Sequence, residues 1–215
     1  MKAIVFDMDG VLFDTERVCD QAWRRAAEEM DFAGIDEAVA GCRGLNRRDT
    51  AAFFAAHFPD FDYPAFHQRN HAIMAEMLED GMPVKPGAYE LLSWLKEQEW
   101  KIALATSTGR ESTMHHLESA NMTEYFDVII TGEQVEHGKP APEIYEMACR
   151  DLGTEPALTY AVEDSPNGIR SASGAKMRVI MVPDQIIPNL ELRQMVVTVQ
   201  KTLLDVREFL EKFGE

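Results

Sequence analysis

Cysteine is scarce in this sequence: Cys19, Cys42 and Cys149 stand alone along 215 residues. An odd, dispersed set builds no disulfide framework, and no Cys/His spacing marks a zinc site, so a reduced, cytoplasmic interior is expected. Basic side chains are also few, with 21 Lys and Arg against 37 Asp and Glu, a formal charge of −16. Such a field repels nucleic-acid phosphates and anionic lipid, so neither is expected as a partner. Apolar runs are short. None reaches 18 residues, which argues against a membrane-spanning helix. The opening run Met1–Phe6 is stopped by Asp7, too early for a secretory leader. Glycine and proline, at 13 and 10, are too few for a collagenous or low-complexity chain, and 46% hydrophobic residues suit a globular one.

What is present is a set of brief apolar segments bounded by charge, Gly or Pro: Ala3–Phe6, Ile102–Ala105, Val128–Ile130, Tyr160–Val162 and Val179–Val182. Continuous apolar runs of this length are what parallel strands covered on both faces require. Between them the spacing predicts helices over Tyr89–Glu97, Ser112–Leu117 and Pro142–Asp151, and a closing helix over Thr202–Phe213. The alternation implies an α/β fold with a doubly wound parallel sheet. One stretch breaks the rhythm. From residue 16 to 80 the apolar positions, Trp23, Ala26, Ala27 and Met30 among them, recur at helical spacing with no strand between. The sequence therefore divides into a core of residues 1–15 and 81–215 and an inserted α-helical cap of residues 16–80. Trp23 and Phe53-Phe54 fit either the core of that cap or a wall against substrate.

Ligands of an open parallel sheet bind beyond the carboxyl ends of its strands. Those positions carry Asp7-Met8-Asp9-Gly10, Thr106-Ser107-Thr108, Lys139-Pro140 and Glu163-Asp164-Ser165. Four carboxylates around one point repel one another unless a cation joins them, and a hard divalent ion with oxygen ligands, Mg²⁺ by preference, resolves that conflict. The same ion neutralises a phosphate, while one carboxylate acts as nucleophile and a second moves the proton. A P-loop is excluded, because Gly132 falls one residue short of register and Pro140 stands where Ser or Thr is needed. A dinucleotide fingerprint is excluded by acids where GxGxxG belongs.

The segment Asp7-Met8-Asp9-Gly10-Val11-Leu12-Phe13-Asp14-Thr15-Glu16, followed in order by Thr106, Lys139-Pro140 and Glu163-Asp164-Ser165, resembles the four motifs of the haloacid dehalogenase superfamily. The helical insert resembles the small cap of its β-phosphoglucomutase-like branch. The resemblance implies Asp7 as nucleophile and Asp9 as general acid and base. It implies Mg²⁺ held by Asp7, the Asp9 carbonyl and Asp164, with Glu163 in or just outside that shell. Thr106, the Ser107 amide and Lys139 are implied to grip the phosphoryl group. An acid at Asp9 favours phosphate esters over halides or phosphonates. In the cap, Arg47 within Gly44-Leu45-Asn46-Arg47, and Arg69, are implied as substrate contacts. Cys19 stands where β-phosphoglucomutases carry a histidine, which favours a phosphatase of a small phosphorylated metabolite, acting as a monomer or weak dimer, over a sugar-phosphate mutase. A phospho-acceptor signalling module shares the acid–lysine set but has no need of a cap.

Overall fold

The computed structural model describes residues 2–42, 47–79 and 81–214, the side chains of 47–49 excepted. In chain order the elements are β1 (Ala3–Phe6), α1 (Thr15–Glu29), α2 (Ile35–Cys42), α3 (Arg47–His57), α4 (Tyr63–Met77), α5 (Ala88–Glu97), β2 (Lys101–Thr106), α6 (Arg110–Ser119), β3 (Val128–Thr131), α7 (Glu143–Leu152), β4 (Thr159–Glu163), α8 (Pro166–Gly174), β5 (Arg178–Met181), α9 (Leu190–Met195), β6 (Thr198–Val199) and α10 (Leu203–Phe213). The six strands form one parallel sheet in the order β3-β2-β1-β4-β5-β6. The strand order reverses at β1, which places the residues after β1, β2 and β4 around one crevice.

The two faces of β1 are read directly from its alternation. Ala3 and Val5 join Ala103, Ala105 and Val179 in a buried cluster with Ile144, Ala148 and Leu152 of α7, Ile169 and Ala172 of α8, and Leu192 of α9. On the opposite face Tyr160 of β4 lies tilted against Trp100 and T-shaped against Phe209, and its hydroxyl donates to the Phe213 carbonyl at 3.2 Å. That contact holds α10 against the sheet. The sequence reading had no counterpart for α9 or for β6, the two-residue edge strand.

The chain divides into two compact units, Met1–Asp14 with Met82–Glu215, and Thr15–Gly81. In the larger unit the two linker segments run side by side. Asp14 N–H donates to the Pro83 carbonyl and Lys85 N–H to the Leu12 carbonyl, both at 2.8 Å. Lys85 then pairs with Asp14 at 3.2 Å and Asp184 at 2.6 Å. The smaller unit is a four-helix cluster around Ala22, Ala26, Phe54, Phe66 and Ile73. Trp23 packs edge-on against Phe54 and Phe66, and Phe54 is fully buried, so these aromatics form the core of this unit. Asp62 caps α4 by accepting from the Ala65 N–H, with Pro64 in its first turn. Among the described residues no helix is long and apolar enough to cross a membrane.

Candidate active site

Asp7 follows β1 directly, and its N–H continues the sheet by donating to Val162 at 3.0 Å. The side chain is thereby aimed beyond the strand ends, where it is almost wholly buried. Lys139, in the loop after β3, reaches the same point from the other side. Its ammonium donates to Asp7 Oδ1 at 2.6 Å, Glu163 Oε1 at 2.7 Å and the Ala105 carbonyl at 3.0 Å. The Tyr145 hydroxyl is within reach as well, at 3.3 Å, so the three N–H groups of the ammonium are shared among four acceptors. The Lys139–Pro140 peptide is cis.

Glu163 ends β4 and is completely buried. Oε1 accepts from Lys139 and from the Tyr145 hydroxyl at 2.8 Å. Oε2 accepts from the Asp164 and Ser165 N–H groups and from Ser165 Oγ, each at 3.1 Å. Both oxygens are saturated, which is how a buried carboxylate is retained without a penalty. The packing is as tight as the bonding. A Cβ built on Gly168 would lie 1.7 Å from Glu163 Oε1. Gly168→Ala must therefore displace Glu163, and a loss of about 3 kcal/mol, the upper end for overpacking, is expected by urea denaturation together with reduced turnover. Unchanged stability would show that Glu163 can move freely.

Asp164 comes next, also nearly buried, and Gly10 makes room for it. With φ +78°, Gly10 holds a backbone shape that side chains resist, and a Cβ there would meet Asp164 Oδ2 at 2.4 Å. One carboxylate oxygen from each of Asp7, Glu163 and Asp164 lies within 4.8 Å of the others. Burial pushes the Asp7 carboxyl up to about 8, Lys139 opposes that shift, and the charges of Glu163 and Asp9 add to it. Burial likewise disfavours the Lys139 ammonium, but the carboxylates of Asp7 and Glu163 outweigh it and hold the group above its ordinary value. Three acids against one lysine leave a deficit of positive charge, and an all-oxygen donor set of this kind fits a hard divalent cation.

Asp9 behaves differently. Its carboxylate is outside that cluster and turns to the end of β2, where Oδ2 accepts from Thr108 Oγ1 at 2.7 Å and from Thr106 Oγ1 at 3.3 Å. Only its main-chain carbonyl remains available for the metal role expected of it. Ser107 is exposed beside them. His116 of α6, read from sequence as a surface residue without a role, is half-buried against Phe13, with ring centroids 6.0 Å apart. Burial lowers its pKa and the charge of Asp9 opposes that.

The two cap residues fare unequally. Arg69 of α4 binds both oxygens of Glu29 in α1, the second at 2.9 Å, and reaches Glu76 at 3.4 Å. Three of its five N–H groups are thus engaged within the helical unit, where they tie α1 to α4. Gly44, Leu45 and Asn46 and the side chain of Arg47 lie outside the described residues. One side chain of the cluster, Tyr145, has no counterpart in the sequence analysis, because its position is indistinguishable by spacing from the apolar core of α7. Thr108 stands there only as part of the strand-end segment, without a role of its own.

Residues 4–182 match the model of the haloacid dehalogenase-like hydrolases. A phosphorylated carbohydrates phosphatase from Thermotoga maritima is 33% identical over 176 residues, covering 81% of this chain and 82% of the relative. Hexitol phosphatase B from Escherichia coli is 29% identical over 192 residues, covering 84% and 83%. Among solved structures, a Thermotoga maritima protein described as a beta-phosphoglucomutase superposes with a TM-score of 0.82 at 29% identity, over 99% of this chain and 100% of that one.

Proposed function

The chain belongs to the haloacid dehalogenase-like hydrolase family, and from that premise we propose that it is a Mg²⁺-dependent phosphomonoesterase of a small phosphorylated carbohydrate. One observation carries this reading: two neighbouring aspartates occupy opposite environments. Asp7 is buried against Lys139 and the acid cluster, whereas Asp9 hangs from two hydroxyls at the end of β2. Carboxylates held so differently suit different tasks.

Asp7 attacks phosphorus in line, forming an aspartyl-phosphate as the bond to the substrate oxygen breaks, and Asp9 gives its proton to the departing alcohol. Asp9 then takes a proton from a water whose oxygen attacks the same phosphorus. The bond to Asp7 breaks, inorganic phosphate leaves and both carboxyl groups return to their first state. Lys139 and the Thr106 hydroxyl hold phosphoryl oxygens, with the Ser107 amide beside them. Asp7, Asp164 and the Asp9 carbonyl are the residues to hold Mg²⁺, which when bound neutralises phosphoryl charge. Distance alone admits Glu163 to that shell, but its oxygens are filled by hydrogen bonds, so it serves as the fixed counter-ion of Lys139. Arg47 is retained as a contact to the non-reacting end of the substrate, and Arg69 is not.

The test is phosphate release from sugar and hexitol phosphates, with β-glucose 1-phosphate plus a trace of its 1,6-bisphosphate in parallel. Release that stops with EDTA and returns with Mg²⁺ is expected. Glucose 6-phosphate formed without phosphate release would make the protein a mutase. Phosphate retained on the protein without turnover would make it a phospho-acceptor module.

A further inference from the structure

We infer that Thr108 is the positioning residue that aims Asp9 at the leaving-group oxygen. This inference rests on the proposed reading of Asp9 as acid and base. Three groups form a closed triangle beyond β2. The Thr108 N–H donates to Thr106 Oγ1 at 3.1 Å, and both threonine hydroxyls donate to Asp9 Oδ2, Thr108 at 2.7 Å and Thr106 at 3.3 Å. The Thr108 carbonyl is itself fixed, accepting from the Gly132 N–H at 3.3 Å and, more loosely, from Thr113 Oγ1 at 3.5 Å. Thr113 is fully buried. The hydroxyl that holds Asp9 is therefore mounted on backbone anchored to the ends of β2 and β3 and to α6.

Proton counting separates the two threonines. A hydroxyl has one hydrogen to donate. In the proposed reaction Thr106 turns that hydrogen to a phosphoryl oxygen, which ends its already long bond to Asp9. Thr108 is then the described side chain that still donates to Asp9. Because it engages Oδ2, the oxygen left to exchange a proton is Oδ1, first with the departing alcohol and then with the attacking water. A misplaced acid loses most of its catalytic value, since proton transfer needs hydrogen-bond reach in the transition state.

The readout is dependence on the leaving group. A sugar alkoxide needs the proton to depart, whereas p-nitrophenolate leaves without it. For kcat/KM, which reports the first phosphoryl transfer, Thr108→Val should lose at least about tenfold more on a sugar phosphate than on p-nitrophenyl phosphate. Thr108→Ser, which restores the hydroxyl, should recover most of that difference. Equal losses on both esters would overturn the inference in favour of a structural role. So would an unaltered Thr108→Val in an enzyme that Asp9→Asn disables, and in that case the reading of Asp9 would stand. If Asp9→Asn itself turned over the sugar phosphate normally, the underlying reading would fail and the inference with it.

Discussion

Asp7→Asn should abolish turnover, by at least about 10⁴-fold in kcat, while leaving the fold and substrate binding in place. Asparagine keeps the shape and the oxygen that accepts from Lys139 at 2.6 Å. It also keeps the backbone N–H bond to Val162. What it lacks is a carboxylate able to form a bond to phosphorus, and its amide places N–H groups beside Glu163 and Asp164 instead of a third carboxyl. The expected signature is thus a split: phosphate release disappears, and equilibrium binding of the phosphate ester, measured by calorimetry with Mg²⁺, survives. Residual turnover within tenfold of the parent would remove Asp7 from the nucleophile's role. Loss of binding along with turnover would mean that its charge holds substrate and metal together rather than performing the chemistry.

The strands that carry these residues were legible because each is a continuous apolar run, and burial on both faces leaves no other composition open to them. Thus Ile102–Ala105 falls inside β2 and Tyr160–Val162 inside β4. The strand β6 was not, because two residues carry no period and an edge strand needs only half its surface covered. Chemistry at the strand ends was readable for a similar reason, as topology alone sends Asp7, Thr106 and Glu163 to one edge of the sheet. The division of labour among them was not. Whether Glu163 binds a metal or is saturated by Tyr145, Lys139 and Ser165 depends on side-chain directions set by residues up to 24 positions away. Arg69 shows the same limit. In a chain with 37 acidic residues, spacing does not reveal that Glu29, 40 positions earlier, is the one that claims its guanidinium.

Lys139→Met should cost about 3–5 kcal/mol of stability, the usual penalty for removing one member of a buried ion pair. The reason is what stays behind. Glu163 is wholly enclosed and Asp7 nearly so, and both accept from the same ammonium. Without it, each carboxylate is held close to another with one hydrogen bond fewer, and protonation is the only relief. That makes the deficit depend on pH, with a definite sign. A carboxyl whose folded pKa lies above its unfolded value binds more protons in the folded state, so it favours folding at low pH and loses that effect as pH rises through the folded value. Asp7 is already raised from 3.8 to about 8 with Lys139 opposing the shift, and removing the lysine moves it further the same way. The deficit of Lys139→Met should therefore stay level up to about pH 8 and grow above it. Urea denaturation in EDTA on either side of that value, near pH 6 and near pH 9, measures it without a divalent ion substituting for the lost charge. Adding Glu163→Gln to Lys139→Met removes one of the two stranded carboxylates and should recover part of the loss. A deficit equal at both pH values, untouched by the second substitution, would mean that Lys139 contributes through packing of its chain against Tyr145, whose ring lies 4.9 Å from the ammonium, rather than through its charge.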